Sequence, residues 1–292
     1  MFTATLIADP ARAGLDRATV ESLRNAWGGG EARWLNPGVA AEFSLPAMPA
    51  NRWEVWQSLQ SLGFDLVLQP TANRRKRLLI ADMDSTMIRQ ECIDELAAEA
   101  GVGTHVAAIT ARAMNGELDF EAALTERVGL LKGLAEGVIA KVLAERITMM
   151  PGGATLVATM KANGAYTALV SGGFTSFTGP VAARLGFDEH RANTLPATNG
   201  ILTGDVVRPI LGREAKVAAL RDISARLGIT PADAIAVGDG ANDLGMLGLA
   251  GTGVALHAKP SVQAQCDIRI NHGDLTALLY LQGYAADEFA DV

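Results

Sequence analysis

Cysteine is nearly absent from this sequence. The 292 residues include only Cys92 and Cys266, and the four histidines are scattered without a metal-ligand spacing. So few cysteines can form neither a disulfide framework nor a cysteine metal site, and a reducing compartment fits this usage. The sequence also lacks a Walker A loop, which removes support for nucleotide binding of that kind.

Dense positive charge and long apolar runs are missing as well. The net charge is −7, and the one short basic cluster, residues 74–77, is interpreted as a solvated linker rather than a nucleic-acid-binding face. No apolar run is long enough to cross a bilayer, and the first nine residues lack the basic segment that begins a signal peptide. We therefore expect a cytoplasmic globular protein that binds neither nucleic acid nor membranes.

What the sequence does contain begins with a small α+β pattern. We predict a domain over residues 1–72, including a polar linker, with the order β-α-β-β-α-β of a ferredoxin-like fold. Such domains often resemble amino-acid-sensing, ACT-like regulatory domains, but no ligand signature is present. Packing or dimerisation is an equally good explanation, and a homodimer through this domain is one interpretation. The predicted strands are 2–8, 32–35, 40–45 and 64–68, and the predicted helices are 17–27 and 53–62.

The remaining residues alternate between strands and helices, with one interruption. Strand-helix repetition predicts an α/β core with a doubly wound parallel sheet, formed by residues 73–87 and 151–292. Residues 88–150 show helical spacing only, which predicts a helical-bundle cap. The predicted strands are 78–81, 166–170, 234–237, 253–256 and 267–270, with a hairpin in 191–207; the predicted helices are 91–100, 105–114, 120–131, 134–146, 154–163, 174–185, 213–227 and 274–282.

Two carboxylates follow the first core strand. The apolar run 78–81 predicts a strand that is buried on both faces, and Asp82 and Asp84 follow it. Two carboxylates at the end of a buried strand are costly unless a cation or a proton neutralises them. Mg²⁺ suits such a site, and a carboxylate left free could attack an electrophile such as phosphorus. The alternative is an ordinary polar turn with solvated acids.

A second segment could bind an anion. Ser171-Gly172-Gly173 follows a predicted strand and offers a hydroxyl and unhindered N–H groups to phosphate oxygens. A nucleophilic serine is the rival interpretation, although the sequence shows neither a complete nucleophile elbow nor an evident base. Lys216 could neutralise the same anion, or it could be an exposed lysine in the first turn of a helix.

A third segment brings more carboxylates. Asp239 and Asp243 follow another predicted strand and could complete a Mg²⁺ site, with Asn242 as a polar neighbour. Active sites in doubly wound sheets lie at the carboxyl ends of the strands. We therefore expect these segments to meet there, although they are far apart in the sequence.

Taken together, these segments resemble the haloacid dehalogenase superfamily. The likeness is closest to the phosphoserine phosphatase family and extends over about residues 78–281. Met83 stands where that family often has phenylalanine, which is a mild apolar change. The resemblance implies a Mg²⁺-dependent phosphatase that converts O-phospho-L-serine to serine and phosphate, the last step of serine biosynthesis. It rests on Asp82–Thr86, Glu91–Leu96, Glu126–Val128, Ser171–Gly173, Leu202–Val206, Lys216 and Gly238–Asp243.

The same resemblance implies a role for each candidate residue. Asp82 would attack phosphorus and form an aspartyl-phosphate, and Asp84 would protonate the departing seryl oxygen and later activate water. Glu91 would bind the ammonium group of the substrate, and Arg127 its carboxylate. The implied Mg²⁺ ligands are Asp82, the backbone carbonyl of Asp84, Asp239 and Asp243, and the implied phosphate and substrate contacts are Ser171, Gly172, Lys216 and Asn242.

Other function classes stay open from the residues alone. A phospho-accepting signalling domain also uses a strand-end aspartate and Mg²⁺, but it would retain its phosphate. A non-catalytic amino-acid sensor would place the function in residues 1–72. Within enzymes, the alternatives are a phosphatase for another small phosphomonoester or a homoserine phosphotransferase. Glu91 and Arg127 by themselves would be ordinary helix-surface charges.

Overall fold

The computed structural model describes residues 1–292 and begins with an antiparallel sheet that carries two helices. Its elements are β1 (Phe2–Ala8), α1 (Arg17–Trp27), β2 (Arg33–Asn36), β3 (Ala40–Leu45), α2 (Arg52–Ser61) and β4 (Phe64–Pro70). The strand order is β2-β3-β1-β4, with β1 antiparallel to both neighbours. This arrangement confirms the ferredoxin-like prediction.

The first core strand, β5 (Leu78–Ala81), leads directly into the cap. All four predicted cap helices are present: α3 (Cys92–Glu99), α4 (Gly103–Met114), α5 (Phe120–Gly129) and α6 (Val138–Glu145). An antiparallel bridge between Ile88 and Met149 joins the two segments that connect the cap to the core. The cap therefore has one narrow, two-stranded connection to the core.

The rest of the chain completes a parallel sheet with helices on both faces. Its elements are α7 (Gly153–Ala162), β6 (Tyr166–Phe174), α8 (Thr175–Leu185), β7 (Glu189–Asn193), β8 (Ala197–Thr198), β9 (Ile201–Leu202), α9 (Arg213–Arg226), β10 (Ala234–Gly238), α10 (Leu244–Leu249), β11 (Thr252–Leu256), α11 (Pro260–Gln263), β12 (Ile268–Ile270) and α12 (Ala277–Leu281). The six-stranded order is β12-β11-β10-β5-β6-β7, and all neighbours are parallel. None of the helices combines the length and the apolar character that crossing a bilayer requires.

The central strand β5 shows why the sheet is covered on both faces. Leu78 and Ile80 belong to one hydrophobic cluster, and Leu79 and Ala81 belong to another. Successive side chains of a strand point to opposite faces, so a fully apolar strand needs a helical layer on each side. The doubly wound core that the sequence predicted is confirmed.

The amino-terminal sheet packs against the core through its second face. Ala4 and Leu6 of β1 pack with the helices α1 and α2, whereas Ile7 belongs to the same hydrophobic cluster as Leu278–Leu281 of α12. Asp65 of β4 is fully buried and accepts hydrogen bonds from the backbone N–H groups of residues 271–273 at 2.8–2.9 Å. Apolar and polar contacts therefore fix the position of this sheet on the core.

Several predicted boundaries differ from the structure. β6 extends to Phe174, so Ser171 and Gly172 lie inside a strand rather than after it. Only the middle of the predicted 191–207 hairpin forms, as β8 and β9, and the separate strand β7 was not predicted. α6 begins four residues late, because Ala135 pairs with Ile201 instead of entering the helix. The short helices α10 and α11 were not predicted, and α12 is shorter than expected.

Candidate active site

Three neighbouring strands of the core sheet end at the candidate site. Asp82 follows β5, Asp239 follows β10 and Ser171 lies near the end of β6, so parallel pairing brings them to one edge. Residues from the cap close this edge into a cavity of about 30 Å³. Of the residues singled out in the sequence, Asp82, Asp84, Glu91, Arg127, Ser171, Gly172 and Asn242 line the cavity. Lys216, Asp239 and Asp243 lie beside it, joined to Asp82 or to one another by short polar contacts.

Lys216 is fully buried and links two carboxylates. Its Nζ lies 2.7 Å from Asp82 Oδ1 and 2.6 Å from Asp243 Oδ1. Burial by itself would lower the pKa of Lys216, but Asp243 and Asp82 outweigh burial and raise it. The alternative of an exposed lysine is therefore wrong, and the ammonium stays charged beside the Asp82 carboxylate.

Asp243 shapes the loop that follows β10. Its Oδ2 accepts hydrogen bonds from the backbone N–H groups of Asp239 at 3.1 Å and Gly240 at 3.0 Å, while Oδ1 faces Lys216. Gly238 leaves room for this arrangement, because a Cβ there would lie 2.4 Å from Asp243 Cγ. Both oxygens of Asp243 are thus engaged within the protein.

Three carboxylates offer a site for a divalent cation. Asp82, Asp239 and Asp243 each place an oxygen within 4.8 Å of the other two. Thr86 Oγ1 donates to Asp239 Oδ1 at 3.0 Å, but Asp239 Oδ2 is buried without a hydrogen-bond partner, and Lys259 Nζ is 3.9 Å away. Burial and Asp243 raise the pKa of Asp239 to about 7. Hard oxygen ligands with unneutralised negative charge fit Mg²⁺.

Asp84 occupies a different environment from Asp82. Its Oδ1 accepts a hydrogen bond from the backbone N–H of Cys92 at 2.9 Å, and its Oδ2 faces Ser171 Oγ at 3.3 Å. Burial raises the pKa of Asp84 despite these donors. Ser171 Oγ also accepts from Gly173 N at 2.8 Å. A carboxyl group with a raised pKa retains its proton to a higher pH than an ordinary aspartate does.

Glu91 enters the cavity from the start of the cap. It is the N-cap residue of α3, and its Oε1 accepts a 2.5 Å hydrogen bond from Ser85 Oγ. Burial, followed by the charge of Asp84, raises the pKa of Glu91 to about 8. No lysine or arginine lies within ion-pair distance of this carboxyl group. It is therefore available to a cationic group of a ligand.

Arg127 faces Glu91 from another cap helix and is only 2% exposed. Its Nε donates to Ala123 O at 3.1 Å and its NH1 to Thr110 Oγ1 at 2.9 Å, while Thr110 donates to Asp94 Oδ1 at 2.6 Å. Burial lowers the pKa of Arg127, and the charges of Glu91 and Asp94 oppose that shift. No carboxylate lies within 4.0 Å of the guanidinium. A buried cation without an ion-pair partner is an incomplete site that an anion would complete.

The cap rests on the core through tight contacts at glycines. A Cβ at Gly172 would lie 2.6 Å from Phe120 Cζ, and one at Gly240 would lie 3.0 Å from Met114 Sδ. Phe120 and Met114 of the cap therefore occupy the space that a side chain larger than that of glycine would need at positions 172 and 240. In this conformation the cap is closed over the ends of the core strands.

Asn193 is a positioning residue that the sequence analysis missed. It is buried at the end of β7, and its Nδ2 donates to Gly172 O at 2.9 Å and to Leu211 O at 3.1 Å. Its Oδ1 accepts from Leu211 N at 2.6 Å. Asn193 therefore ties the Ser171–Gly173 segment to the loop that leads into α9 and Lys216. No motif marks it, because these contacts exist only after β7 joins the sheet.

The chain matches known proteins across this same region. A family model for haloacid dehalogenase-like hydrolases matches residues 79–248, from β5 into α10. A phosphoserine phosphatase from Archaeoglobus fulgidus is 44% identical over 246 residues, which cover 82% of this chain and 71% of that protein. The chain belongs to the phosphoserine phosphatase family of haloacid dehalogenase-like hydrolases. The family predicted from the sequence segments is confirmed.

Relatives in this family differ in length. A phosphoserine phosphatase from Streptomyces coelicolor is 41% identical over 256 residues, which cover 86% of this chain but only 62% of that protein. A crystal structure of a haloacid dehalogenase family hydrolase from Salmonella enterica serovar Typhi has a TM-score of 0.85 and 34% identity, covering 99% of this chain and 100% of that one. The similarity to the second protein includes the amino-terminal sheet.

Proposed function

We propose that this family member is a Mg²⁺-dependent phosphatase that hydrolyses O-phospho-L-serine to L-serine and phosphate, the last step of serine biosynthesis. The observation that carries the proposal is the pair Glu91 and Arg127, which line one cavity with Asp82 and Asp84. An unpaired acid and an unpaired arginine complement the ammonium and the carboxylate of an amino acid. The names of the relatives support the same substrate.

Asp82 is the proposed nucleophile. Its Oδ1 accepts hydrogen bonds from Met83 N at 2.8 Å and from Lys216 Nζ at 2.7 Å, whereas Oδ2 has no hydrogen bond. Oδ2 is therefore the oxygen free to attack phosphorus. The Oδ2–P bond forms as the bond between phosphorus and the seryl oxygen breaks, which leaves an aspartyl-phosphate.

Asp84 is the proposed acid and base. Its raised pKa allows it to hold a proton, which it gives to the seryl oxygen as that oxygen leaves. The resulting carboxylate then takes a proton from the water that attacks the aspartyl-phosphate. The water oxygen bonds to phosphorus as the bond between phosphorus and Asp82 Oδ2 breaks. Phosphate leaves, Asp82 is again a carboxylate and Asp84 again holds a proton.

The phosphoryl oxygens need donors that do not react with them. The proposed donors are Ser171 Oγ, the N–H of Gly172 and the ammonium of Lys216. All three lie at the edge of the sheet where Asp82 follows β5. Ser171 donates to Asp84 only at 3.3 Å, so it can redirect its hydrogen bond at small cost. Asn242 lines the same cavity with a buried Oδ1 that has no partner.

Mg²⁺ is the proposed metal, because the buried oxygens of Asp82, Asp239 and Asp243 suit a small hard cation. The backbone carbonyl of Asp84 is a further proposed ligand. When bound, the cation neutralises charge on the phosphoryl group and on the carboxylates. Asp243 already has both oxygens engaged, so its main contribution is to hold Lys216 and the loop that carries Asp239.

We expect the cap to open when the substrate enters. Phe120 of the cap lies directly over Gly172 and Met114 lies over Gly240, so the cap covers the strand ends. The cap joins the core through two adjacent segments at Ile88 and Met149, which suits a hinge. Closure over the substrate would exclude water while Asp84 transfers its proton.

The test is phosphate release from a panel of small phosphomonoesters. O-phosphoserine should be the preferred substrate, chelation of metal should stop turnover and added Mg²⁺ should restore it. Asp82→Asn should lose several orders of magnitude in kcat, as other enzymes do when a covalent nucleophile is removed. Asp222→Asn, an exposed carboxylate on α9, is the matched control and should keep full activity. Full turnover in chelator, or in Asp82→Asn, would refute the proposed mechanism.

Two narrower expectations belong with this function. A homodimer through the domain of residues 1–72 stays a prediction, and sedimentation velocity of the full chain would test it. A cytoplasmic location also stays a prediction. A different preferred phosphomonoester in the substrate panel would keep the reaction type and reject the serine assignment.

A further inference from the structure

A second, larger cavity lies between the amino-terminal sheet and the core. Its volume is about 510 Å³, within the range of about 300–1,000 Å³ that is usual for small-molecule sites. Elements β1, α2 and β4 form one wall, and α10 with residues 265–268 forms the other. The cavity shares no lining residue with the catalytic cavity.

The walls of this interdomain cavity are apolar over much of their area. Phe2, Leu66 and Leu68 come from the amino-terminal sheet, and Leu247 and Ile268 come from the core. Two indole rings of α2, those of Trp53 and Trp56, lie edge to face with centroids 6.0 Å apart and also line the space. An apolar or aromatic body would therefore be buried well between the two walls.

The polar groups of the same cavity favour an anion. Arg52 and Lys76 both line it, and no carboxylate lies within 4.0 Å of either cation. Lys76 Nζ donates only to the carbonyl of Ala232, at 2.8 Å. Asp267 is the one acidic residue of the lining. Two cations without an ion-pair partner thus stand against one carboxylate in this lining, so a ligand that brings a carboxylate is favoured.

We propose that the interdomain cavity binds a small organic carboxylate with an apolar, aromatic body. The carboxylate contacts Arg52, and the ring lies against the leucines and Trp53. Because both domains form the walls, a bound ligand stabilises the docked arrangement of the sheet on the core. The wall helix α10 begins at Leu244, directly after Asp243, so the ligand also contacts the element that follows the catalytic loop.

Gly248 gives direct experimental access to this cavity. It lines the space from α10, and a Cβ added there meets no atom within 4 Å. Gly248→Phe adds a bulky side chain at the wall of the cavity without a backbone clash. The matched control is Gly129→Phe, since Gly129 is a helical glycine with equally open space in the cap, remote from the cavity.

The experiment is calorimetric titration of the full chain with 3-phenylpropionate and with its neutral analogue 3-phenylpropan-1-ol. The wild type should bind the acid about tenfold or more tightly than the alcohol, because the acid completes charge-assisted hydrogen bonds. Gly248→Phe should abolish binding of the acid, and Gly129→Phe should not. Arg52→Gln should reduce the affinity for the acid to about that for the alcohol.

Four results would overturn the proposal: no binding of the acid by the wild type at millimolar concentration, equal affinity for acid and alcohol, unchanged binding in both Gly248→Phe and Arg52→Gln, or loss of binding in Arg127→Ala. The last would place the acid in the catalytic cavity instead. If Gly248→Phe does not fold, Arg52→Gln decides the question. Thermal denaturation of the wild type should show a higher Tm with the acid present.

Discussion

Arg127 allows the sharpest test of how the cap selects a substrate. Arg127→Met removes the guanidinium but keeps an unbranched side chain in the buried volume, so it creates a smaller cavity than alanine would. The guanidinium is held by Thr110 Oγ1 at 2.9 Å and by Ala123 O at 3.1 Å. Its orientation is therefore set before the substrate binds, and the variant removes a prepared contact.

The expected loss follows from the burial of this contact. A hydrogen bond to a charged group contributes about 1.5–3 kcal/mol, which corresponds to roughly tenfold to 150-fold in kcat/KM. Arg127 is 2% exposed and has no competing carboxylate, so the upper part of that range applies, about a hundredfold. An aryl phosphate has no carboxylate to lose and should change little. Arg127→Lys should recover only part of the loss, because a point charge cannot replace a planar fork.

The assay compares kcat/KM for O-phosphoserine and for p-nitrophenyl phosphate in each variant. The ratio of the two values should fall about a hundredfold in Arg127→Met. Arg112→Met is the matched control, since Arg112 is an exposed arginine of the same cap, 3.7 Å from Glu117. An unchanged ratio in Arg127→Met, in protein with normal thermal unfolding, would show that Arg127 does not contact the serine carboxylate. The same fall in Arg112→Met would show that any loss of cap charge suffices.

Three further perturbations test other parts of the molecule. Burial raises the pKa of Glu91 to about 8, so its carboxyl group is mostly protonated at pH 7 and binds an ammonium group better as the pH rises. KM for O-phosphoserine should therefore fall about tenfold between pH 7 and pH 9. A Glu91→Gln enzyme that keeps this pH dependence would contradict the assignment. Asn193→Ala should lower kcat/KM about tenfold for O-phosphoserine and p-nitrophenyl phosphate alike, because it loosens the peptide of Gly172, whose N–H is the proposed donor to the phosphoryl group of both substrates. Unequal losses for the two substrates would count against a role at the phosphate. Asp65→Ala leaves the N–H groups of residues 271–273 without acceptors. It should lower the free energy of unfolding, measured by urea denaturation, by about 3–5 kcal/mol. A loss below about 1 kcal/mol would show that these contacts do not hold the two domains together.

Local patterns were sufficient for most of the fold. α1 has the bounds predicted because Asp16 caps its first turn through a 2.7 Å hydrogen bond from Thr19 N, and Gly28 ends it with φ of 63°. β5 was predicted because an uninterrupted apolar run fits a strand covered on both faces. β7 was missed because it is an edge strand with the polar sequence Glu189–Asn193, which shows neither alternation nor an apolar run.

The candidate site shows the same division between local and tertiary information. Asp82 and Asp239 could be placed together because the carboxyl ends of neighbouring parallel strands meet. The buried state of Lys216 could not be predicted, because its partners come from two other strand ends that are distant in the sequence. Thr110 could not be predicted either, since nothing local in α4 shows that Arg127 and Asp94 meet across it.

The contacts at the start of the cap connect substrate selection to chemistry. The N–H of Cys92, the first residue of α3, donates to Asp84 Oδ1 at 2.9 Å, and Ser85, the residue after Asp84, donates to Glu91. A movement of α3 away from the core would therefore release the carboxyl group of Asp84 and displace Glu91 together. Since a hydrogen bond from an N–H group favours the ionised carboxylate, opening would also change the proton affinity of Asp84. The proposed acid thus has this environment only when the cap is closed, which is also when Glu91 and Arg127 could make the substrate contacts proposed for them.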